Sequence, residues 1–105
     1  MTPDSLRAIA DTVGTPTYVY DANVTIEQYK KLHQAFNPLD VKLHYALKAL
    51  NNINILRLLK QEGAGLDAVS IQEIYLGLRA GFEANKIMYT PNCVSFSEIQ
   101  EAVEL

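Results

Sequence analysis

Cysteine is almost absent from this chain. Cys93 stands alone among 105 residues, which excludes an internal disulfide framework and suits a reducing compartment. Basic charge is not in excess either. Nine Lys and Arg stand against twelve Asp and Glu, for a net charge of −3, and no basic run occurs, so nucleic acid is not an expected partner. No apolar stretch approaches the ~18 residues that suggest a membrane-spanning helix. The start, Met1-Thr2-Pro3-Asp4, lacks the basic and apolar regions of a signal peptide. No glycine-rich phosphate loop occurs, and Gly63 and Gly65 read as a helix-to-strand turn. His33, His44 and Cys93 show no metal-ligand spacing. These absences lead to the expectation of a cytoplasmic protein with no metal, membrane or nucleic-acid partner.

What is present is ordinary for a folded domain. The residues are 49% hydrophobic and 20% charged, which excludes a disordered tail or a collagen-like chain. A chain of 105 residues can form one small domain with a real core.

A first helix is predicted from Thr2 as cap, Pro3 in the first turn and the shared face of Leu6, Ile9, Ala10 and Val13. Gly14 and Pro16 stop it, and Tyr18-Val19-Tyr20 reads as a short strand. Thr25 to Gln28 has capping-box spacing, and Ile26, Tyr29, Leu32, His33 and Phe36 form the stripe of a second helix that ends at Asn37-Pro38. A rhythm follows. Strands are expected over 41–47, 65–69 and 86–90. Helices follow each: one capped by Asn51 or Asn52, one opened by the Ser70–Glu73 capping box and closed by Gly81, and one opened by Ser95–Glu98. Strand–helix alternation every ~20–25 residues indicates a parallel sheet with crossover helices.

The fold class is therefore α/β. Three parallel strands do not close a barrel, whereas a TIM barrel takes eight strands in ~250 residues. The expectation is the N-terminal part of a (β/α)8 barrel. Residues 1–24 form an N-terminal helix and opening strand, and 25–105 form the first part of the barrel. A small complete three-strand domain is the other reading, set back by the sheet edges and faces it would expose.

The strand over 41–47 carries the chemistry. Val41, Leu43, Tyr45 and Leu47 share one face; Lys42, His44, Ala46 and Lys48 share the other. The apolar face should meet helices and the mixed face should line the barrel interior. Lys48 then stands at the C-terminal strand end, which is the catalytic face of such barrels. A lysine there can form an imine with an aldehyde or other carbonyl. From the strand alone, the plainer reading is a lysine that extends its ammonium into water.

Three segments carry a resemblance. Thr15-Pro16-Thr17-Tyr18-Val19-Tyr20-Asp21 and Tyr45-Ala46-Leu47-Lys48-Ala49, followed by Gly63-Ala64-Gly65-Leu66-Asp67-Ala68-Val69-Ser70, resemble the start of the barrel in pyridoxal-phosphate decarboxylases of the alanine-racemase-like fold. The diaminopimelate and ornithine decarboxylase families look nearest. Asn52 and Leu56 also fall where that pattern has Asn and Leu; Leu50 departs from it, standing where the family usually has Asn.

The resemblance implies that Lys48 is the Schiff-base lysine holding pyridoxal 5'-phosphate. Such a lysine must be neutral to attack, a state that partial burial favours. Asp67 is implied to lie near Lys48 as a catalytic carboxylate, with an ion pair at the barrel rim as the plain alternative. Glu73 is implied to support the cofactor site, although its capping role with Ser70 explains it without chemistry. His44 reads as a hydrogen-bonded interior residue, His33 as structural and Cys93 as a loop cysteine. The implied activity is decarboxylation of meso-diaminopimelate to L-lysine by a homodimer acting on a small amino acid. Decarboxylation of ornithine, arginine or carboxynorspermidine is the alternative, as is a non-enzymatic cofactor-binding barrel. A truncated barrel of this kind is expected to be inactive alone.

Overall fold

Every α-helix begins on a side chain that takes up a free backbone N–H. In the computed structural model, which describes residues 1–105, helix α1 (Pro3–Val13) is capped by Thr2. The Thr2 hydroxyl accepts from Ser5 N at 3.2 Å, and Ser5 Oγ accepts from Thr2 N at 3.0 Å. Helix α2 (Ala22–Ala35) starts one turn earlier than the Thr25–Gln28 spacing predicts. Asp21 is its cap, accepting from Asn23 N at 3.0 Å and Val24 N at 3.4 Å. A carboxylate suits the positive end of a helix better than a hydroxyl does. Thr25 lies inside the helix instead, its hydroxyl donating to the Asp21 carbonyl at 3.0 Å. The amino terminus, 3.3 Å from Asp21, and then the backbone N–H of Val24 hold the Asp21 carboxyl below its ordinary value.

The remaining elements alternate as expected. They are β1 (His44–Ala46), α3 (Ile53–Gln61), β2 (Gly65–Ala68), α4 (Ile71–Ala80), β3 (Ile87–Tyr89) and α5 (Phe96–Glu104). The strands form one parallel sheet in the order β1-β2-β3. Asn52 caps α3 through Asn54 N, and Gly81 closes α4 in the left-handed region.

Two sequence expectations are corrected. Tyr18 to Tyr20 forms no strand, and Tyr18 is 91% exposed. An extended segment becomes a strand only when a neighbour takes its backbone groups, and the sheet has no fourth member. The first strand is also shorter than 41–47. After Ala46 the backbone winds into a 3-10 turn, Leu47–Ala49, so Lys48 sits on that turn, directly beyond the strand.

The two sheet faces divide as the alternation predicts. Tyr45, Leu66, Ala68, Ile87 and Tyr89 face the helices and join Leu47, Leu56, Ile71, Ile74, Ala80 and Phe82 in the main core. Leu47, Leu56 and Leu66 are fully buried. A second cluster, Ile55, Leu59 and Ala64, extends the core toward Tyr29 of α2. The other face carries His44, Ala46, Asp67 and Met88 and is the interior side of a barrel wall.

Helix α4 crosses the sheet closely at Gly77. A Cβ there would lie 2.7 Å from Leu66 Cδ1 and 3.1 Å from Ile87 Cδ1. Both neighbours belong to the packed core, so neither moves freely. Gly77→Ala is expected to lower stability by about 1–3 kcal/mol through overpacking, despite its better helix propensity. Urea unfolding of the variant checks this; an unchanged midpoint would mean that α4 can lift off the sheet at no cost.

Candidate functional site at the C-terminal strand ends

Parallel pairing sets the site. Ala46, Asp67 and Met88 are partners across the three strands and share the interior face. Ala46 contributes almost no bulk. Asp67 therefore has an open flank on its β1 side and is only partly buried.

Lys48 stands just past this row. Leu47 is drawn fully into the helix-side core, and the next residue, Lys48, is left exposed. The turn that carries it packs against β2. Burial of this lysine, expected for a neutral amine, is not found within the chain. Nor does Lys48 pair with Asp67. The ion pairs of the structure are Met1–Asp21, Arg7–Asp4 and Lys30–Glu62.

Asp67 is engaged on the opposite side. Its Oδ1 accepts from the Thr90 hydroxyl at 2.5 Å. Thr90 lies two residues beyond Met88, so strand alternation puts it on the same face as Asp67. The sequence alone marked Thr90 only as a strand end. The pairing register across β2 and β3 is the signal that would have found it.

Glu73 binds backbone. Ser70 Oγ accepts from Glu73 N at 3.3 Å, as the capping-box spacing predicts. The reciprocal arm lands one residue away, with Glu73 Oε2 accepting from Val69 N at 2.8 Å. The carboxylate thus fixes the bend between β2 and α4.

Glu98 is a rim residue whose reach the sequence did not disclose. Its N–H meets Ser95 Oγ at 3.2 Å, as expected, but its carboxylate turns inward. Glu98 Oε1 accepts from Ile71 N at 3.1 Å and from the Tyr89 hydroxyl at 2.8 Å. One oxygen therefore ties α5 to the first turn of α4 and to the end of β3. Desolvation, then this hydrogen bond and the negative charge of Glu98, push the Tyr89 hydroxyl up to about 12.

The histidines lie elsewhere. His44 sits over Gly65 at the lower part of the interior face, where a Cβ at residue 65 would be 2.5 Å from the ring. Its ring makes no hydrogen bond, contrary to expectation; the glycine beneath it, rather than a polar partner, accommodates it. His33 stacks on Tyr29 with centroids 6.2 Å apart. Cys93 is exposed, its thiol 3.3 Å from Asn92 Oδ1, and no group of His, Cys, Asp and Glu could hold a metal ion.

A parallel strand–helix repeat with a free lysine at its C-terminal strand ends is the opening wall of a β/α barrel, with its reactive side at that end. The chain belongs to the pyridoxal-dependent decarboxylase family: residues 23–105 match the model of that family's pyridoxal binding domain. It is 43% identical over 98 residues to the diaminopimelate decarboxylase of Methanothermobacter thermautotrophicus, covering 91% of this chain and 23% of that protein. Among solved structures it resembles the lysine/ornithine decarboxylase of Vibrio vulnificus complexed with putrescine, with TM-score 0.89 and 30% identity over 96% of this chain and 27% of the other. It also resembles the diaminopimelate decarboxylase of Helicobacter pylori complexed with L-lysine, with TM-score 0.85 and 35% identity over 94% of this chain and 25% of the other. The chain spans about a quarter of the length of these relatives. No helix is long and apolar enough to cross a membrane.

Two outcomes follow from the rim contacts. Glutamine at 73 retains an oxygen for Val69 N, so Glu73→Gln should keep most of the stability, whereas Glu73→Ala should lose about 0.5–2 kcal/mol, as for a lost cap. Thermal unfolding of the pair checks this, and equal losses would show that the negative charge, not the acceptor, matters. Tyr89 is the pH-sensitive contact. Its folded-state value is raised, so its contribution to stability is complete below pH 10.0 and is lost as pH rises through about 12. Glu98→Gln should lower the Tyr89 midpoint toward 10.0 without reaching it, because desolvation is the leading cause. Ultraviolet titration of tyrosinate, with Tyr89→Phe as the reference, measures the shift; an unmoved midpoint would remove Glu98 from the explanation.

Proposed function

We propose that this chain forms the opening wall of the barrel in a pyridoxal-phosphate-dependent decarboxylase that converts meso-diaminopimelate to L-lysine and carbon dioxide. The single observation that carries the site is Lys48: an amine with no ion pair, at the C-terminal strand ends, just past the strand that pairs with the one carrying Asp67. A free amine can capture the aldehyde of pyridoxal phosphate. The small side chain of Ala46, on the row between Lys48 and the rest of the interior face, leaves room for a ring. The residues present thus fit the cofactor.

When bound, pyridoxal phosphate supplies an electron sink for the pair released as carbon dioxide departs. Lys48 would hold the group in place through its amine in the unprotonated form. Asp67 would offer Oδ2, which takes no hydrogen bond from the protein, as an acceptor at the C-terminal strand ends. Glu73 supports the site indirectly by fixing the bend after β2. Residues 1–24 serve as an N-terminal helix and extended arm, and residues 25–105 as the first part of the cofactor-binding barrel. The working enzyme is a cytoplasmic homodimer with a small amino acid as substrate.

The substrate assignment is supported by relatives named diaminopimelate decarboxylase in both archaea and bacteria, at 43% and 40% identity. A second reading, decarboxylation of ornithine or lysine, is favoured by the likeness to the Vibrio vulnificus enzyme. Turnover of meso-diaminopimelate against ornithine and lysine by the full-length protein separates them.

Borohydride reduction of the full-length protein loaded with pyridoxal phosphate, followed by peptide mass mapping, should find the pyridoxyl group on Lys48. Lys42 lies below β1, Lys60 on α3 and Lys86 below β3, all away from the C-terminal strand ends. A label on any of these would overturn the assignment.

A further inference from the structure

Asp67 lies on the central strand, with β1 and Lys48 on one side and β3 and Thr90 on the other. Its carboxylate can turn toward either. Neighbouring strands are about 4.8 Å apart, and a lysine has a four-carbon stem, so the Lys48 ammonium can reach a carboxylate on β2. An ion pair between them is therefore open to the two side chains. It is not what the structure shows. The carboxylate is turned to β3, where the Thr90 hydroxyl donates to Oδ1 at 2.5 Å.

Thr90 is built to hold it. Its backbone N–H bonds to the Ala68 carbonyl at 2.8 Å, so the β2–β3 ladder continues one step beyond β3 and fixes the Thr90 Cα. A β-branched side chain has few χ1 choices. A hydroxyl donating to a carboxylate makes a charge-assisted bond, stronger than a neutral one.

We infer that Thr90 is a positioning residue: its hydroxyl holds the Asp67 carboxylate on the β3 side and keeps it from closing an ion pair with Lys48. The consequence is chemical. An amine paired with a carboxylate keeps its proton and is a poor nucleophile, whereas an unpaired one is available to an aldehyde. Released from Thr90, Asp67 would swing to Lys48 and quench it. The catalytic importance of this restraint rests on Lys48 being the cofactor lysine, as proposed above; the restraint itself does not.

The test therefore reads Lys48 in the cofactor-free, full-length protein. Brief labelling with acetic anhydride at one mildly alkaline pH, quantified by peptide mass spectrometry against Lys60 in the same digest, gives the relative reactivity of Lys48. Thr90→Val keeps the shape and removes the hydroxyl. It should lower Lys48 labelling about tenfold, the order expected when a carboxylate comes within hydrogen-bonding reach. Thr90→Ser should label like the native protein. Adding Asp67→Asn to Thr90→Val should restore labelling, because the quenching charge is gone. The same variants should show the same order in the rate of pyridoxal phosphate uptake. Native-like labelling in Thr90→Val at an unchanged melting temperature would overturn the inference, as would a double variant that stays slow. If Thr90→Val does not fold, Thr90→Ala takes its place; failure of both to fold while Thr90→Ser folds would make the hydroxyl a stability element and also overturn it. If borohydride mapping places the cofactor on another lysine while the labelling pattern appears as expected, the restraint stands and the proposed function falls.

Discussion

Burial of Leu47 is the constraint on which the rest of this arrangement depends. Its side chain is fully buried against the core that α3 and α4 build over the sheet, where Leu56 and Leu66 are equally enclosed. Complete burial of a leucine is worth about 1.5–3 kcal/mol, enough to dictate a local backbone choice. The chain leaves β1 and tightens into a 3-10 turn at this residue. An apolar anchor at one position forces the next residue outward, and that residue is Lys48. The exposed placement of Lys48 is thus a by-product of packing. The helix-side core needs a leucine at the strand end, and the lysine beside it has nowhere to go but the rim.

The same division of faces explains why so much was legible beforehand. Apolar residues alternating with mixed ones over 41–48 identify the helix-facing side because Tyr45 and Leu47 have only one apolar place to go. Helix limits at Thr2, Asn52, Ser70, Gly81 and Ser95 are local chemistry, a side chain or left-handed backbone serving a free N–H or C=O, and a sequence carries that information directly. Tyr18-Val19-Tyr20 misled because strand formation is not local. Those residues have β-forming character and no partner in the sheet. Asp21 prevailed over Thr25 for a related reason. Both spacings are plausible caps, and the amino terminus, which strengthens the aspartate, arrives from twenty residues away.

The site divides along the same line. Lys48 was legible as a residue at a strand end, though not in the burial expected of a neutral amine, and the role implied for it came from the family resemblance rather than from spacing. Glu73 was readable as a capping partner, since Ser70 lies three residues before it, although its carboxylate stops at Val69. Thr90 and the inward turn of Glu98 were not readable. Each depends on a contact across more than twenty residues, 23 from Thr90 to Asp67 and 27 from Ile71 to Glu98, fixed only when the strands are in register. Asp67 itself sat in both categories: its strand was evident, but the direction of its carboxylate was not.

The bond from Glu98 to the Ile71 amide makes the two last helices interdependent. Helix α4 opens with that N–H satisfied by a residue of α5, so its first turn is complete only while α5 is docked. α5 buries no residue fully, and polar links such as Tyr75–Glu101 and Tyr89–Glu98 help to hold it in place. Its release would return one N–H at the start of α4 to solvent and free the Tyr89 hydroxyl at the end of β3 in the same event. The Ile71 amide is consequently a native hydrogen-exchange reporter on the far helix: its exchange rate reads the fraction of time that α5 spends detached, from a position on another element.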